Sequence, residues 1–555
     1  MKEYTVTLNN FSDKTSFCNE MTASSGSGSV PSRACTCDLM RPQSRNTIFT
    51  LSDAEATELL NDSRVLACEE NVALNTKELW SSSQQASWDK SPDDASDKNW
   101  GIKRLINGQA TANWGTNGSS DYTEQVNTTS SGKNVDVIIV DSHINFGHPE
   151  FKANPNGTGS NRAVEFNWFQ YSAALGYSGN TAATYVYTGG NSSHGTHVAG
   201  TVAGNTQGWA RDANVYNMSF ASDAGGGNGI SGLWWYNIMF EYIRHFHNNK
   251  PINAATGRRN PTIVNNSWSF AEFSDEPNLS AVDSVKYRAE SSISLSGQTD
   301  AQKKTTLQSK RISVPGSSTI PNFNKIVASV DADIIDCMND GVVFCSAAGN
   351  DYMPTDVSGG EDYNNAVVVS GVTYYPIRGG TPGTTTNMIN VGATAATVSE
   401  TKAVFTNFEE RVDVYAPGRN IMSSVKNTSS GYSNQVADSR DSNYYNASAN
   451  GTSMATPQVC GLLACAAEQY PNMRQANALQ YLIEGAKAQI ATTSEDPPTQ
   501  SPYTSFGDGN NRYVSYVFKR PQSGTAFPHD NHGNRVSSSN GVKYPRVNSL
   551  VTKRS

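Results

Sequence analysis

The chain has 555 residues, too many for one ordinary hydrophobic core, so we expect two to four folding units. Charged residues make up only 17% of it, against about 25% in a typical soluble domain, which excludes a charge-dense disordered chain and a coiled coil. The net charge of −8 argues against a general nucleic-acid binder, and no apolar run approaches the roughly 18 residues of a membrane span.

The N-terminal residues predict a small α+β unit, residues 1–75. Residues 4–9 alternate as a strand does, Ser52 and Glu55 form a capping box that begins a helix, and residues 64–70 predict a second strand. The polar residues 76–98 then predict an exposed connector. No basic stretch followed by an apolar one opens the sequence, so we expect no secretory signal.

From residue 99 to about residue 492, apolar runs alternate with helical patterns, which indicates an α/β domain. Continuous apolar runs are typical of strands in a parallel sheet with both faces covered, and they span residues 135–140, 262–264, 341–345 and 366–369. Helical periodicity over residues 234–246 and 330–338 predicts two of the covering helices.

Two stretches lie outside this pattern. Residues 271–325 are polar and predict an insertion in the α/β domain. Residues 493–555 contain prolines and glycines without clear periodicity, and they predict a C-terminal extension.

The sequence gives no sign of a bound metal. The eight cysteines have no zinc-finger spacing, and we interpret them as mostly reduced thiols. His194 and His197 could form a metal pair, but no neighbouring Cys or Glu completes a ligand set. We therefore predict no metal there.

Three segments contain residue types that perform acyl transfer. Asp141 ends an apolar strand, at the sheet edge where open α/β sheets form their sites. His194 begins a small-residue helix, whose dipole favours the neutral form that a general base needs. Ser453 lies close before Pro457, which fits the first turn of a helix, so we place Ser453 at or just before a helix N-terminus. Singly, the Asp also fits a turn and the Ser a helix cap.

The contexts of these residues resemble one family. Residues 194–200, His-Gly-Thr-His-Val-Ala-Gly, and residues 451–457, Gly-Thr-Ser-Met-Ala-Thr-Pro, resemble the His and Ser signatures of subtilisin-like serine peptidases. The order Asp, His, Ser is also the order of that family and differs from that of lipases and chymotrypsin-like enzymes. Asp141-Ser142-His143 departs from the usual Asp-Thr-Gly or Asp-Ser-Gly.

The resemblance implies a fold and a domain order. The expected fold is α/β, with a doubly wound, mostly parallel sheet and helices on both faces, over residues 99–492. Residues 1–75 resemble an inhibitor-type propeptide, a small α+β (ferredoxin-like) domain. The connector 76–98 would then contain the maturation site.

The resemblance also assigns roles. It implies a catalytic triad of Asp141, His194 and Ser453 and an oxyanion-hole side chain in Asn350. It implies that an extended polypeptide substrate is bound by Ser267, Trp268, Ser269, Ala348 and Gly349. The chemistry needs no cofactor. Structural calcium is frequent in such peptidases, but no loop here indicates its ligands.

We therefore predict a serine endopeptidase that cleaves off its own propeptide. The alternative is a catalytically weak or inactive structural component with the same fold, for example in a virus particle. A carboxyl peptidase is disfavoured by the His194 motif. The expected partners are polypeptides and the propeptide, and the extension at 493–555 is a candidate surface for an assembly partner. The missing signal favours synthesis in a bacterial or virus-infected cell.

Overall fold

The computed structural model describes most of the chain. It covers residues 1–78, 100–107 and 130–494, apart from residues 25, 42, 155, 178–184, 186, 188–192, 221–231, 397–399, 427–431 and 487–490. The predicted connector beyond Glu78 and the predicted extension beyond Ser494 lie outside the described residues.

The N-terminal unit is a four-stranded antiparallel sheet with two helices. Its elements are β1 (Lys2–Leu8), α1 (Lys14–Thr22), β2 (Cys37–Met40), β3 (Asn46–Leu51), α2 (Asp53–Leu59) and β4 (Val65–Glu70). The strand order β2-β3-β1-β4 is the ferredoxin-like arrangement. The capping box predicted at Ser52 and Glu55 is confirmed at the start of α2. After β4 the chain continues into β5 (Asn75–Glu78).

The rest of the described chain, which we call the body, is centred on a nine-stranded sheet. Its strands are β6 (Asp136–Asp141), β7 (Ala163–Val164), β8 (Asn214–Ser219), β9 (Thr262–Asn266), β13 (Val343–Ala347), β16 (Ile389–Thr394), β17 (Thr401–Lys402), β18 (Val414–Pro417) and β22 (Ala491–Ser494). The order is β22-β17-β16-β13-β9-β6-β8-β7, with β18 also beside β16, and only the β16–β17 pair is antiparallel among these ladders. β6 lies between β8 and β9 in the sheet. The chain first adds β8 on one side of β6 and later adds β9 on the other side, so the strand order reverses beside β6, which is a topological switch point.

Helices cover both faces of this sheet, as predicted. The body contains α3 (Trp100–Asn107), α4 (Ser193–Ala203), α5 (Gly232–Asn249), α6 (Asp300–Ser309), α7 (Ala328–Asp340), α8 (Thr452–Gln469) and α9 (Gln475–Gly485). Helices α4 and α8 pack on one face, and α5 and α7 pack on the other. Alternate residues of β6 point to the two cores, Val137 to the first and Ile138 to the second. This burial on both faces explains the continuous apolar run.

The prediction for residues 366–369 was wrong. This segment is β14 (Ala366–Val369), and it belongs to a separate antiparallel sheet with β11 (Val282–Lys286), β12 (Ile293–Ser294) and β15 (Val372–Tyr374). A run of four apolar residues does not distinguish the two kinds of sheet. Its partner β11 lies in the polar stretch 271–325 and buries one side through Val282 and Val285, above a core of its own.

Two further small sheets, one of three strands and one of two, complete the described structure. A hairpin-like sheet of β19 (Ile421–Val425), β20 (Ser433–Asp438) and β21 (Asp441–Ala449) packs on α4. β10 (Trp268–Ala271) pairs with β5 of the N-terminal unit.

All eight cysteines are free thiols. Among the helices that the structure describes, none combines the length and apolarity of a membrane span.

Candidate active site

Asp141 and His194 meet in the interior of the body. Asp141 ends β6 at the switch point, and His194 is the second residue of α4. Their Oδ1 and Nδ1 atoms are 2.7 Å apart, and both side chains are at most 1% exposed. The carboxylate oxygen also accepts hydrogen bonds from the amide and the hydroxyl of Ser142, at 2.8 and 3.0 Å. These contacts orient the imidazole with Nδ1 toward the carboxylate.

The unusual Asp-Ser-His turn forms a close contact with α4. A Cβ on Gly195 would lie 2.3 Å from the Ser142 carbonyl oxygen, so only glycine allows this approach. The Gly195 amide donates to Ser142 Oγ at 3.1 Å. His143 packs edge-on against the Tyr187 ring, with the centroids 6.0 Å apart. The departure from the family pattern at His143 therefore leaves the Asp141 contacts in place.

His197 lies one turn further along α4 and has different partners. Its Nε2 is 2.9 Å from the Ile421 carbonyl oxygen and 3.1 Å from that of Ala447. Burial lowers the pKa of His197 to about 3, so the ring is neutral. The two histidines do not converge on a common point, and no group of three or more His, Cys, Asp or Glu side chains among the described residues could hold a metal.

Ser453 lies at the start of α8, beside α4. The helix begins at Thr452, so Pro457 lies in its second turn, whereas its sequence context predicted the first turn. Proline has no N–H to donate to the Ser453 carbonyl four residues back. That carbonyl accepts instead from Ser267 Oγ at 3.1 Å. The Ser453 hydroxyl donates to the Ser267 carbonyl oxygen at 2.9 Å, so the two serines are tied together by reciprocal hydrogen bonds.

Asn350 follows β13 and faces the same helix start. Its Oδ1 accepts from the amide and the hydroxyl of Thr452, each at 2.9 Å. Its Nδ2 is buried and has no hydrogen-bond partner among the described residues. The Thr452 contacts thus leave a free N–H donor next to Ser453. Gly349, with φ of 110°, brings the chain so close to Asn407 that a Cβ would lie 2.3 Å from its Nδ2.

The segment predicted to bind substrate is already paired in this structure. β10 forms an antiparallel ladder with β5, with Trp268 opposite Glu78, Ser269 opposite Lys77 and Ala271 opposite Asn75. The Trp268 side chain is completely buried. Only the backbone of this residue is therefore available to an added strand.

A small pocket opens beside this strand. Its lining includes Ser269 and Ala348 from the predicted substrate-binding set, together with Thr384, Asn390 and Arg411. Arg411 is its charged lining residue, and the guanidinium donates to Asp413 and to the Thr385 carbonyl. Among the described residues that line this pocket, none carries a carboxylate that could pair with a basic side chain.

The structure brings the predicted residues into one region, and it adds partners that the sequence did not indicate. Asp141 and His194 are in contact, Ser453 is hydrogen-bonded to Ser267, and Asn350 is hydrogen-bonded to Thr452, the residue before Ser453. The roles of Ser142 and Thr452 were not predicted, because a serine or threonine is too common in this chain to be informative.

Comparison with known proteins identifies the family. The chain is 26% identical over 415 residues to the subtilisin-like serine protease pepC of Aspergillus niger, a match that covers 74% of this chain and 55% of the relative. It is 24% identical over 447 residues to a subtilisin-like protease of Coccidioides posadasii, covering 78% of this chain and 65% of the relative. The chain thus spans about half to two thirds of the length of these relatives.

A solved structure shares the fold. Fervidolysin from Fervidobacterium pennivorans, a keratinolytic enzyme related to subtilisin, superposes with a TM-score of 0.50 at 15% identity, covering 95% of this chain and 62% of that one. The model of the subtilase family, peptidase S8, matches residues 132–509, which is more than half of the chain. The chain therefore belongs to the subtilase family.

Proposed function

We propose that this chain is a serine endopeptidase that hydrolyses peptide bonds through an acyl-enzyme intermediate. The observation that carries the proposal is the buried 2.7 Å contact of Asp141 with His194, which lies in a helix that packs against α8, whose second residue is Ser453. This is the arrangement of a general base and the group that orients it.

The proposed chemistry has four steps. Ser453 Oγ attacks the scissile carbonyl carbon while His194 Nε2 takes its proton. The tetrahedral intermediate collapses, and His194 returns the proton to the leaving amine. Water then attacks the acyl-enzyme with the same base, and Ser453 is released with its proton. Asp141 keeps Nδ1 protonated and stabilises the imidazolium in both halves.

The oxyanion would be bound by two N–H donors, the side chain of Asn350 and the main chain of Ser453. The free Asn350 Nδ2 supports this assignment, because its carbonyl end is occupied by Thr452. A donor that is fixed before the reaction needs no reorganisation when charge develops on the substrate oxygen.

We further propose that substrates bind as an extended strand beside β10, where β5 lies in this structure. Most of their affinity would then come from main-chain hydrogen bonds. β5 joins the N-terminal unit to the predicted connector, which supports the interpretation of residues 1–75 as an inhibitory propeptide. The chain would cut itself beyond Glu78, within the connector.

An active-site probe tests the enzyme proposal. We expect a fluorophosphonate to label the wild type at Ser453 and to label neither Ser453→Ala nor His194→Ala. Both variants should keep the circular dichroism of the wild type. Absence of labelling in a folded, processed wild type would favour the structural component without turnover.

Masses of the purified chains test self-processing separately. The wild type should lose a fragment of roughly 80 residues, and Ser453→Ala should stay full-length under the same folding conditions. A wild type that is labelled by the probe but keeps its full mass would contradict self-processing and leave the peptidase proposal standing.

A further inference from the structure

One arginine of the N-terminal unit is buried in the body, on the sheet face that α5 and α7 cover. Arg41 directly follows β2, and its side chain is 1% exposed. Its guanidinium donates to Glu241 at 2.8 Å, to Tyr177 Oη at 3.0 Å, to Asp333 at 3.1 Å and to the Asn237 carbonyl at 2.9 Å. Two carboxylates and two neutral oxygens thus surround one cation. We call Tyr177, Asn237, Glu241 and Asp333 the socket.

The socket is complementary to a guanidinium. Its two carboxylates come from different helices, Glu241 from α5 and Asp333 from α7, and they meet only at Arg41. The planar fork of an arginine can satisfy such diverging acceptors at the same time, whereas an ammonium is a point charge. The socket contains no cation of its own, so without Arg41 the carboxylates of Glu241 and Asp333 would lose the positive charge that they share.

Neighbouring residues of the N-terminal unit complete the contact. Ser44 Oγ donates to one oxygen of Asp333 at 2.5 Å, and Asn46 Nδ2 donates to the other at 3.0 Å. Lys14 Nζ donates to the carbonyl oxygens of Arg41 and Ser44, which fixes the loop that presents the guanidinium. The N-terminal unit thus supplies further donors to Asp333 and holds the Arg41 loop in place, while the body supplies the acceptors.

We propose that the socket is a guanidinium-binding exosite that holds the N-terminal unit on the body after the connector has been cut. The inference rests on the proposed function, in which this unit is an inhibitory propeptide. The β5–β10 ladder is made by main-chain groups and would be exchanged for any extended substrate. The buried charge pairs cannot be exchanged in this way, and breaking such pairs acts mainly on the dissociation rate. Arg41 thereby sets how long the cleaved unit remains bound.

The test measures dissociation of the cleaved unit in a chain that cannot process itself. Ser453→Ala chains receive the recognition sequence of a site-specific peptidase between Asp93 and Asp94, are tethered by the C-terminus and are then cut. Loss of the N-terminal unit is followed by surface plasmon resonance. We expect Arg41→Gln to accelerate dissociation by about 30-fold or more. Arg41→Lys, which keeps the charge without the fork, should give a smaller acceleration.

Arg33→Gln is the matched control, because Arg33 pairs with Glu55 inside the N-terminal unit and does not touch the socket. Asp333→Asn on the body side should accelerate dissociation as well, and it gives a readout if Arg41→Gln prevents folding. Dissociation that is unchanged in the Arg41 and Asp333 variants, or accelerated equally by Arg33→Gln, would overturn the inference. Because cleavage here is external, this result is independent of the peptidase proposal, which the probe experiment decides.

Discussion

The cleft around Asp141, His194 and Asn350 and the socket around Arg41 differ in how their central polar groups are paired. In the cleft, Asn350 Nδ2 and Asp141 Oδ2 are buried without a hydrogen-bond partner among the described residues. In the socket, the guanidinium of Arg41 is surrounded by four acceptors. An unpartnered buried group costs stability, and under the proposed function the Asn350 donor would be paired by the substrate oxyanion. A fully paired charged group, such as the Arg41 guanidinium, whose three nitrogens all donate hydrogen bonds, is typical of a structural contact between two units of a protein.

This contrast separates two kinds of effect. A substitution at an unpartnered group of the cleft should lower the rate and leave the folded state unchanged. A substitution at a fully paired group should change the stability or the lifetime of a contact and leave the rate of the released enzyme unchanged. Three substitutions test whether effects on the rate and effects on stability separate in this way.

The largest effect is expected at Asn350. In the released enzyme, Asn350→Ala should lower kcat by about 100- to 1,000-fold with little change in KM, because the lost donor acts on the oxyanion rather than on the bound substrate. Its melting temperature should fall by no more than about 4 °C, because the Thr452 amide and hydroxyl lose the Asn350 Oδ1 acceptor, whereas the Nδ2 end has no partner to lose among the described residues. A loss of less than fivefold would remove Asn350 from the oxyanion hole.

An intermediate effect is expected at His197, one turn from His194, whose Nε2 lies between the carbonyl oxygens of Ile421 and Ala447. Burial lowers the pKa of His197 to about 3, against about 6.5 in an unfolded chain. The unfolded state therefore binds one more proton between these values, and stability falls as the pH falls below 6.5, by up to about 1.4 kcal/mol per pH unit.

In the Ser453→Ala background, His197→Gln should remove about 2 kcal/mol of the stability that is lost between pH 6.5 and 5, as measured by urea unfolding at each pH. Gln supplies N–H donors for the Ile421 and Ala447 carbonyls, so the change at neutral pH should be smaller than the change in the slope. An unaltered pH slope would show that His197 titrates normally.

The smallest effect is expected at Glu69, which caps a helix of the body from the N-terminal unit. Its carboxylate accepts from the amides of Ala328 and Ser329 at 3.0 and 2.8 Å, at the first turn of α7, where Val327 offers no side-chain cap. Glu69→Gln should weaken the contact by about 1 kcal/mol and speed dissociation of the cleaved unit about fivefold. Glu58→Gln, an exposed change on α2, should have no effect.

Much of the body could be predicted from local sequence. The apolar runs that became β6, β9 and β13 are buried on both faces, and that environment leaves a continuous signal in the residues themselves. The candidate triad of Asp141, His194 and Ser453 was predicted from the resemblance of its sequence contexts to the family signatures, and the close approach of Gly195 to Ser142 gives one physical reason for the small residues in those contexts.

The contacts between the N-terminal unit and the body could not be predicted in the same way. β5 reads Asn-Thr-Lys-Glu, which has no strand pattern, and it becomes a strand only because β10 offers an edge. Arg41 lies in a polar loop, and its partners Glu241 and Asp333 are about 200 and 290 residues away. β14 was misassigned for a related reason, since its antiparallel partner was hidden in a polar stretch.

The pairing of β5 with β10 also bears on solubility. When β5 leaves, β10 exposes a row of unpaired main-chain groups four residues long, as any sheet edge does. The opposite side of β10 is occupied, since the Phe270 amide donates to the Thr381 carbonyl and its own carbonyl accepts from Lys325. The new edge is therefore open on one side only and too short for a stable intermolecular sheet. Under the proposed function, this edge would bind one extended substrate segment at a time, and its short length would disfavour aggregation of the enzyme after β5 has left.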